Sequence, residues 1–172
     1  MRLYGSKIPI IAEEILRILE QQGAIELGDR AEAQADIEAV LKEYLRVERE
    51  ITEEAKDRLA RRGLGYEHLR KMKTEVARER RTDFKPDDPM PYLVGQILEM
   101  LFHSVHVEEI FAEDRDLRIV VTKVLRKHMQ ADEGMDREVR AKIKNLQEGT
   151  ATFEIEYQRV LDQIKRKRGL AE

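Results

Sequence analysis

An internal repeat is the feature that most constrains how this chain can fold. Ile8-Pro9-Ile10-Ile11-Ala12 matches Met90-Pro91-Tyr92-Leu93-Val94 at an offset of 82 residues. Further along, Val40-Leu41-Lys42 matches Val124-Leu125-Arg126 at an offset of 84. Offsets that rise only between segments indicate small loop insertions, which is how diverged duplicates of one structural unit differ.

The repeat predicts the domain organisation. Residues 69–78 still match residues 157–166, now at an offset of 88. We therefore expect one repeat unit at residues 1–82 and a second at 90–172, joined by a stiff, proline-containing linker at 83–89. About 80 residues is marginal for an independent core, so the two copies are expected to pack on each other.

Each copy has the apolar periodicity of helices. Apolar residues at positions 8, 11, 12, 15, 16 and 19 form one helical stripe, with Ser6 as an N-cap, Pro9 in the first turn and Gly23 at the end. A loop at 28–30 precedes a long helical element that Gly63 and Gly65 end. A third helix carries Leu69, Met72 and Val76, and no window alternates as a strand. The predicted fold is all-α, with two tandem copies of a three- to four-helix unit.

The long element has two interpretations. Ile51-Thr52 and Met135-Asp136 each place an apolar residue before an N-cap residue type, and Gly134 precedes the second pair. Either the element is one bent helix near residues 35–62, or two helices meet near residues 50–52.

Composition excludes several classes of protein and site. The chain has 172 residues and no Cys, which excludes disulfides, thiolate nucleophiles and thiolate zinc sites. Its start has no signal-peptide-like apolar stretch, and no apolar run approaches the length of a membrane span. We therefore expect a cytoplasmic protein with no membrane partner.

Catalytic and metal-binding patterns are sparse. Ser6 and Ser104 are the two serines, and neither lies in a nucleophile-elbow sequence. We predict no catalytic residue and no cofactor. His103 and His106, three residues apart near a helix end, are weak candidates for a metal site. The acidic run from Glu108 to Asp116 lacks the ligand spacing of a calcium loop, so we interpret it as a solvated loop.

Charge is segregated along the chain although the net charge is only −3. Residues 61–81 hold eight Lys and Arg against three Glu, and residues 157–168 hold five against one Asp, whereas residues 35–60 hold five against eight acidic residues. The basic ends of the third helices could follow a phosphate backbone. We favour the alternative, that these cations complement helix ends and pair with the acidic long helices. The nucleic-acid candidates are Arg78, Arg80, Arg81, Lys165, Arg166, Lys167 and Arg168.

Short sequence patterns run through both copies. The first copy carries Met1-Arg2-Leu3 and Val40-Leu41-Lys42-Glu43-Tyr44-Leu45. The second copy carries Asp136, Val139-Arg140, Lys142-Ile143 and Leu146, then Phe153, Tyr157 and Lys165-Arg166-Lys167-Arg168-Gly169. In these patterns the chain resembles an uncharacterised bacterial family, domain of unknown function 507, over nearly its whole length. The resemblance implies no activity and no site.

A looser likeness is to a histone-fold doublet, because a short, a long and a short helix occur twice. Residues 61–66 match the histone pattern poorly, and the net charge is negative.

These observations favour a non-enzymatic, all-helical interaction module whose partner is another protein or a second copy of itself. The alternatives are a DNA- or RNA-binding doublet that uses the basic third helices, and a metal-binding protein that uses His103 and His106.

Overall fold

Helices dominate the fold. The computed structural model describes residues 2–129, 131–147 and 150–169. The helices that it describes are α1 (Ile8–Gln21), α2 (Arg30–Arg62), α3 (Leu69–Glu79), α4 (Met90–His103), α5 (Asp114–Met129), α6 (Ala131–Lys142) and α7 (Ala151–Lys167). Two short strands, β1 (Ile25–Leu27) and β2 (Val107–Ile110), and 3₁₀ turns at Gly5–Lys7 and Tyr66–His68 complete the described elements.

The chain forms two compact units, and each unit combines segments from both halves of the sequence. One unit consists of Leu3–Leu45 and Met90–Met129, and we call it the ribbon unit because it contains both strands. The helix unit contains Arg46–Pro89 and the described residues after 130, together with Arg2. The helix α2 contributes its residues 30–45 to the ribbon unit and 46–62 to the helix unit. These two units are divided at positions other than the predicted linker at 83–89. The boundary between the sequence repeats therefore stays a prediction.

A two-stranded antiparallel ribbon lies in the ribbon unit. Its register pairs Ile25 with Ile110 and Glu26 with Glu109, and a bulge follows before Leu27 pairs with Val107. The backbone carbonyl of Ala24 accepts hydrogen bonds from the N–H groups of two consecutive residues, 111 and 112, at 2.9 and 3.2 Å. The carbonyl of His106 does the same for residues 28 and 29, at 2.9 and 3.3 Å.

The hydrogen bonds at the ribbon ends have a local symmetry. The two acceptors, Ala24 and His106, are 82 positions apart in the sequence. The two pairs of donors, residues 28–29 and residues 111–112, are 83 positions apart. These spacings match the predicted repeat, so the pattern favours the duplication, which itself stays a prediction.

The core of the ribbon unit is aliphatic. The helix α1 buries its predicted stripe and packs against α5, which also packs against α4. Fully buried side chains include Ile11, Ile15, Leu16, Leu93 and Ile97. Removing a Leu or Ile side chain from water contributes about 1.5–3 kcal/mol, so this stripe is the main source of stability for the unit.

The helix unit contains the segment in which the family resemblance is most specific. The helix α6 packs against α7. The Tyr157 hydroxyl donates to Asp136 Oδ1 at 2.6 Å, and Arg140 Nε donates to the same carboxylate at 3.0 Å. The Arg140 guanidinium also lies 6.0 Å from the centre of the Phe153 ring. The motif residues of this segment therefore hold α6 on α7.

The mostly all-α fold class is confirmed, as are the helix ends before Gly23 and Gly63. Both glycines have positive φ, +66° and +65°. The amide N–H of the residue after each glycine donates back to a carbonyl five positions earlier, at 2.8 Å onto Leu19 and 3.0 Å onto Leu59. Glycine adopts this left-handed conformation without the steric cost that a Cβ imposes, which is why both helices end here.

Three local expectations are wrong. Ser6 is not an N-cap, because it lies inside the 3₁₀ turn and Lys7 precedes α1. Two strands exist, although runs of three and four residues are too short for alternation to be visible in sequence. The acidic run is not a loop, since Glu108 and Glu109 lie on β2 while Asp114 and Asp116 lie in the first turn of α5, where negative charge is favourable.

The two interpretations of the long element are resolved differently in the two halves. In the first half, α2 continues through Ile51 and Thr52 as one 33-residue helix. The Thr52 hydroxyl donates to the Glu48 carboxylate at 3.1 Å, so it does not begin a new helix. In the second half, α5 ends at Met129 and α6 begins at Ala131. Gly134 and Asp136 lie within α6, and residue 130 lies outside the described residues.

No helix in the described part of the chain is long and apolar enough to cross a membrane.

Candidate protein-interaction surface

A groove opens on the ribbon unit where the ribbon meets the end of α1 and the start of α5. Its volume is about 410 Å³. The apolar residues that line it are Leu19, Ala24, Phe111, Ile119 and Val120. The Phe111 side chain is 58% exposed and Ile119 is 53% exposed. Large apolar side chains at an open groove are typical of protein-binding surfaces.

Two glutamates lie on the ribbon close to this groove. Ala24 and Phe111 directly flank the two strands at the groove end, and Glu26 and Glu109 lie two residues further along the ribbon. Glu26 and Glu109 are exposed and directly opposite each other, whereas Ile25 is buried on the other face. Among the described residues, no Lys or Arg forms an ion pair with either glutamate.

Further apolar exposure occurs at the opposite end of the ribbon. Phe102 is 50% exposed and Val105 is 88% exposed. Ser104 holds this turn: its hydroxyl donates to Asp36 Oδ2 at 2.6 Å and accepts from the N–H of His106 at 3.1 Å. We call the groove, the exposed Glu26 and Glu109 and this turn together the ribbon face.

A half-buried charge cluster joins α1 and α5 at the other end of these helices from the groove. His128 Nε2 lies 2.5 Å and Lys127 Nζ 2.7 Å from the Glu14 carboxylate. Burial by itself raises the pKa of the Glu14 carboxyl, but the hydrogen bonds from Lys127 and His128 outweigh burial, and the pKa lies below its usual range. Glu14 is therefore ionised at neutral pH and ties the two helices together.

Three of the predicted nucleic-acid residues have structural roles within the helix unit. Arg80 Nε donates to Glu54 at 2.7 Å, and its Nη1 donates to Glu50 at 3.1 Å. Arg168 pairs with Glu138 at 2.8 Å, and the Lys165 side chain is buried. For Arg80 and Arg168, these contacts favour the interpretation that basic helix ends pair with acidic helices.

The other four predicted residues, Arg78, Arg81, Arg166 and Lys167, are exposed. The described part of the chain places no carboxylate within ion-pair distance of their side chains. Arg81 has a φ of +54°, whereas Gly23, Gly63 and Gly169 occupy the corresponding positive-φ positions after α1, α2 and α7. The helix α3 thus ends on an arginine at a position where a side chain is sterically costly.

The histidine pair gains no support as a metal site. His103 is exposed, and its Nδ1 lies 2.8 Å from the backbone carbonyl of Glu99. Within the described residues, no group of three or more His, Cys, Asp or Glu side chains could hold a metal ion.

Sequence reasoning missed Phe111 and Ile119 as surface residues. One signal was present: the buried positions of α5 include Leu117, Val121 and Val124, and Ile119 falls off that stripe. An apolar residue outside the helical stripe and beside acidic residues is a candidate for contact with a partner.

The fold and its surface define a small, mostly helical protein with two compact units and an exposed apolar and acidic ribbon face. The chain belongs to the family described as protein of unknown function, DUF507, whose model matches residues 1–170. A comparison with curated proteins found no match.

Proposed function

We propose that the protein is a non-enzymatic interaction module in the cytoplasm, and that it binds another protein through the ribbon face. The observation that carries this proposal is the groove with Phe111 and Ile119 exposed, on a unit whose other large aliphatic side chains are mostly buried. Covering exposed apolar groups at a concave surface with a partner makes the free energy of binding more favourable.

The chemistry of the chain supports a non-enzymatic role. Serine is present only at positions 6 and 104, and cysteine is absent. The Ser104 hydroxyl donates to Asp36 and accepts from the His106 N–H, and these two hydrogen bonds hold a turn.

A site-specific crosslinking experiment tests the proposed function. A photoreactive phenylalanine analogue at position 111 is compared with the same analogue at Ile155, which is 67% exposed on the helix unit. We expect capture of a protein from native lysate at position 111 that survives nuclease treatment, and none at position 155. Equal capture at both positions, or capture that nuclease abolishes, contradicts the proposal. Enzymatic turnover that is lost on replacing His103 or His106 contradicts the non-enzymatic part.

Nucleic-acid binding is a second candidate, favoured by the positive φ of Arg81. The positive φ of Arg81 is sterically costly, and glycine would avoid this cost. An arginine that is nevertheless present there, with its side chain exposed, is a candidate for binding a ligand. We expect Arg78→Gln, Arg81→Gln, Arg166→Gln and Lys167→Gln, combined, to weaken binding to a DNA duplex and to lower its salt dependence. Arg80→Gln and Arg168→Gln serve as controls because their side chains are ion-paired. Absence of binding at 50 mM salt contradicts this second candidate.

A further inference from the structure

The ribbon face combines an apolar groove with an unbalanced pair of negative charges. Glu26 and Glu109 occupy directly opposed positions of the antiparallel ribbon. Like charges at such positions repel each other and destabilise the pairing. Since no cation among the described residues pairs with either side chain, the repulsion is not relieved within the described part of the chain.

The groove lies within reach of this pair. Ala24 and Phe111, two residues from Glu26 and Glu109, line the groove. A strand rises 3.2–3.4 Å per residue, which places the acidic pair about 7 Å from the groove along the ribbon. A single short segment of a partner can therefore contact both features.

The net charge of the ribbon unit has the same sign as this pair. Close to the groove itself, Asp116 lies 3.8 Å from Arg115 and Asp114 pairs with Arg118 at 2.5 Å, so the negative charge there is largely balanced. The ribbon unit as a whole holds nine Lys and Arg against fifteen Asp and Glu, a net charge of −6. A nucleic acid or an acidic segment is repelled by this surface, whereas a basic segment is attracted.

We propose that the ribbon face binds a basic amphipathic segment of a partner protein. An apolar side chain of the segment enters the groove between Leu19, Phe111 and Ile119, and a Lys or Arg one turn away contacts Glu26 and Glu109. This inference rests on the proposed function and specifies the chemistry of the partner. The apolar contact supplies most of the affinity, and the charges set specificity and the rate of association.

The test uses three synthetic peptides of 14 residues with a fluorescent label. The first is an amphipathic Leu/Lys peptide, the second replaces Lys by Glu, and the third replaces Leu by Ser. Fluorescence anisotropy with the full-length protein, at 50 and 200 mM NaCl, measures binding. We expect the Leu/Lys peptide to bind at least tenfold more tightly than either comparison peptide, and to bind less tightly at the higher salt concentration.

Variants on the ribbon face identify the site. Phe111→Ser and, separately, Ile119→Ser should each weaken binding of the Leu/Lys peptide about tenfold, because each removes an exposed apolar wall. The double variant Glu26→Gln/Glu109→Gln should weaken binding severalfold and flatten its salt dependence. Circular dichroism confirms that each variant is folded.

Matched controls come from the helix unit. Ile155→Ser removes an exposed apolar side chain there, and Glu53→Gln/Asp57→Asn removes two exposed carboxylates there. Both controls should bind like the wild type. Equal affinity for the Lys and Glu peptides overturns the proposal, and so do equal effects of the ribbon-face and control variants. Sedimentation measures self-association, and a dimer that Phe111→Ser dissociates would show that a second copy, and not a basic segment, covers the face.

The crosslinking result separates this inference from the proposed function. If position 111 captures a protein but the peptides show no preference for Lys, the interaction module stands and the basic segment is wrong. If position 111 captures nothing and the peptides bind nowhere on the ribbon face, both are wrong.

Discussion

The two compact units carry net charges of opposite sign. The ribbon unit has a net charge of −6, a core of fully buried aliphatic residues, and unpaired carboxylates on its surface. The helix unit, together with residues 1–2, holds 23 Lys and Arg against 20 Asp and Glu, a net charge of +3. Many of its charges pair between helices, as Arg80 does with Glu54 and Arg58 with Glu79. Charges that hold helices together are less available to a ligand, which is one reason why we propose the ribbon unit as the binding unit.

Core truncation should show the largest contrast between the units. Leu16 is fully buried in the ribbon unit, and Leu161 is 7% exposed in the helix unit. We expect Leu16→Ala to lower the free energy of unfolding by about 3–5 kcal/mol and Leu161→Ala by about 2 kcal/mol. Urea denaturation measures both values. A larger loss for Leu161→Ala contradicts the view that the ribbon unit has the tighter core.

The Glu14 cluster should show a smaller and pH-dependent effect. Glu14→Gln should cost about 1–2 kcal/mol at pH 7, because it weakens hydrogen bonds from Lys127 and His128. The pKa of Glu14 is lowered in the folded state, so this stabilisation is complete above the unfolded pKa of about 4.3 and is lost as the pH falls through the folded pKa. Thermal unfolding between pH 3 and 7 measures the difference. Glu13→Gln, an exposed neighbour, is the control, and a cost that does not shrink at low pH contradicts the argument.

Replacing Arg81 by glycine should stabilise the helix unit. Glycine accepts a φ of +54° without strain, so Arg81→Gly is expected to raise the free energy of unfolding by about 0.5–1 kcal/mol. Arg78→Gly is the matched control, because Arg78 lies within α3 and glycine weakens a helix interior. Chemical denaturation of both variants is the measurement, and destabilisation by Arg81→Gly shows that its side chain makes a favourable contact.

The ion pairs of the helix unit should have the smallest effect. The hydrogen bonds from Arg58 and, second, from Arg80 lower the pKa of the Glu54 carboxyl. We expect Arg80→Gln to move that pKa back toward its usual value in an NMR titration, with a loss of stability smaller than the effect of Arg81→Gly. Exposed pairs are screened by salt, so the stability difference should disappear near 0.5 M NaCl. A difference that persists there shows that the pair is more buried than its geometry indicates.

Much of the fold could be predicted because helical periodicity is strong over eight or more residues. The stripe of α1, the glycines after α1 and α2, and the third helices follow from it. The strands could not be predicted, since Ile25–Leu27 and Val107–Ile110 are held by pairing between residues more than 80 positions apart. No local pattern records that pairing.

The candidate surface could be predicted only in part. The charge segregation was visible in the sequence, and so was the pairing of basic helix ends with acidic helices. The exposure of Phe111 was not, because a phenylalanine in an apolar context is usually buried. Phe111 follows directly after β2, its backbone N–H donates to the carbonyl of Ala24, which directly precedes the distant first strand, and 58% of the residue remains exposed.

The division of the chain between the units has a consequence for its synthesis. The ribbon unit requires both Leu3–Leu45 and Met90–Met129. A ribosome adds about 5–20 residues per second, so α1 and β1 wait several seconds for α5 to be made. During that interval the side of α1 that packs against α5 is uncovered and is open to chaperones and to other nascent chains. Production of this protein is therefore expected to depend on how quickly residues 46–129 are translated, and slow codons in that stretch should lower the yield of folded protein.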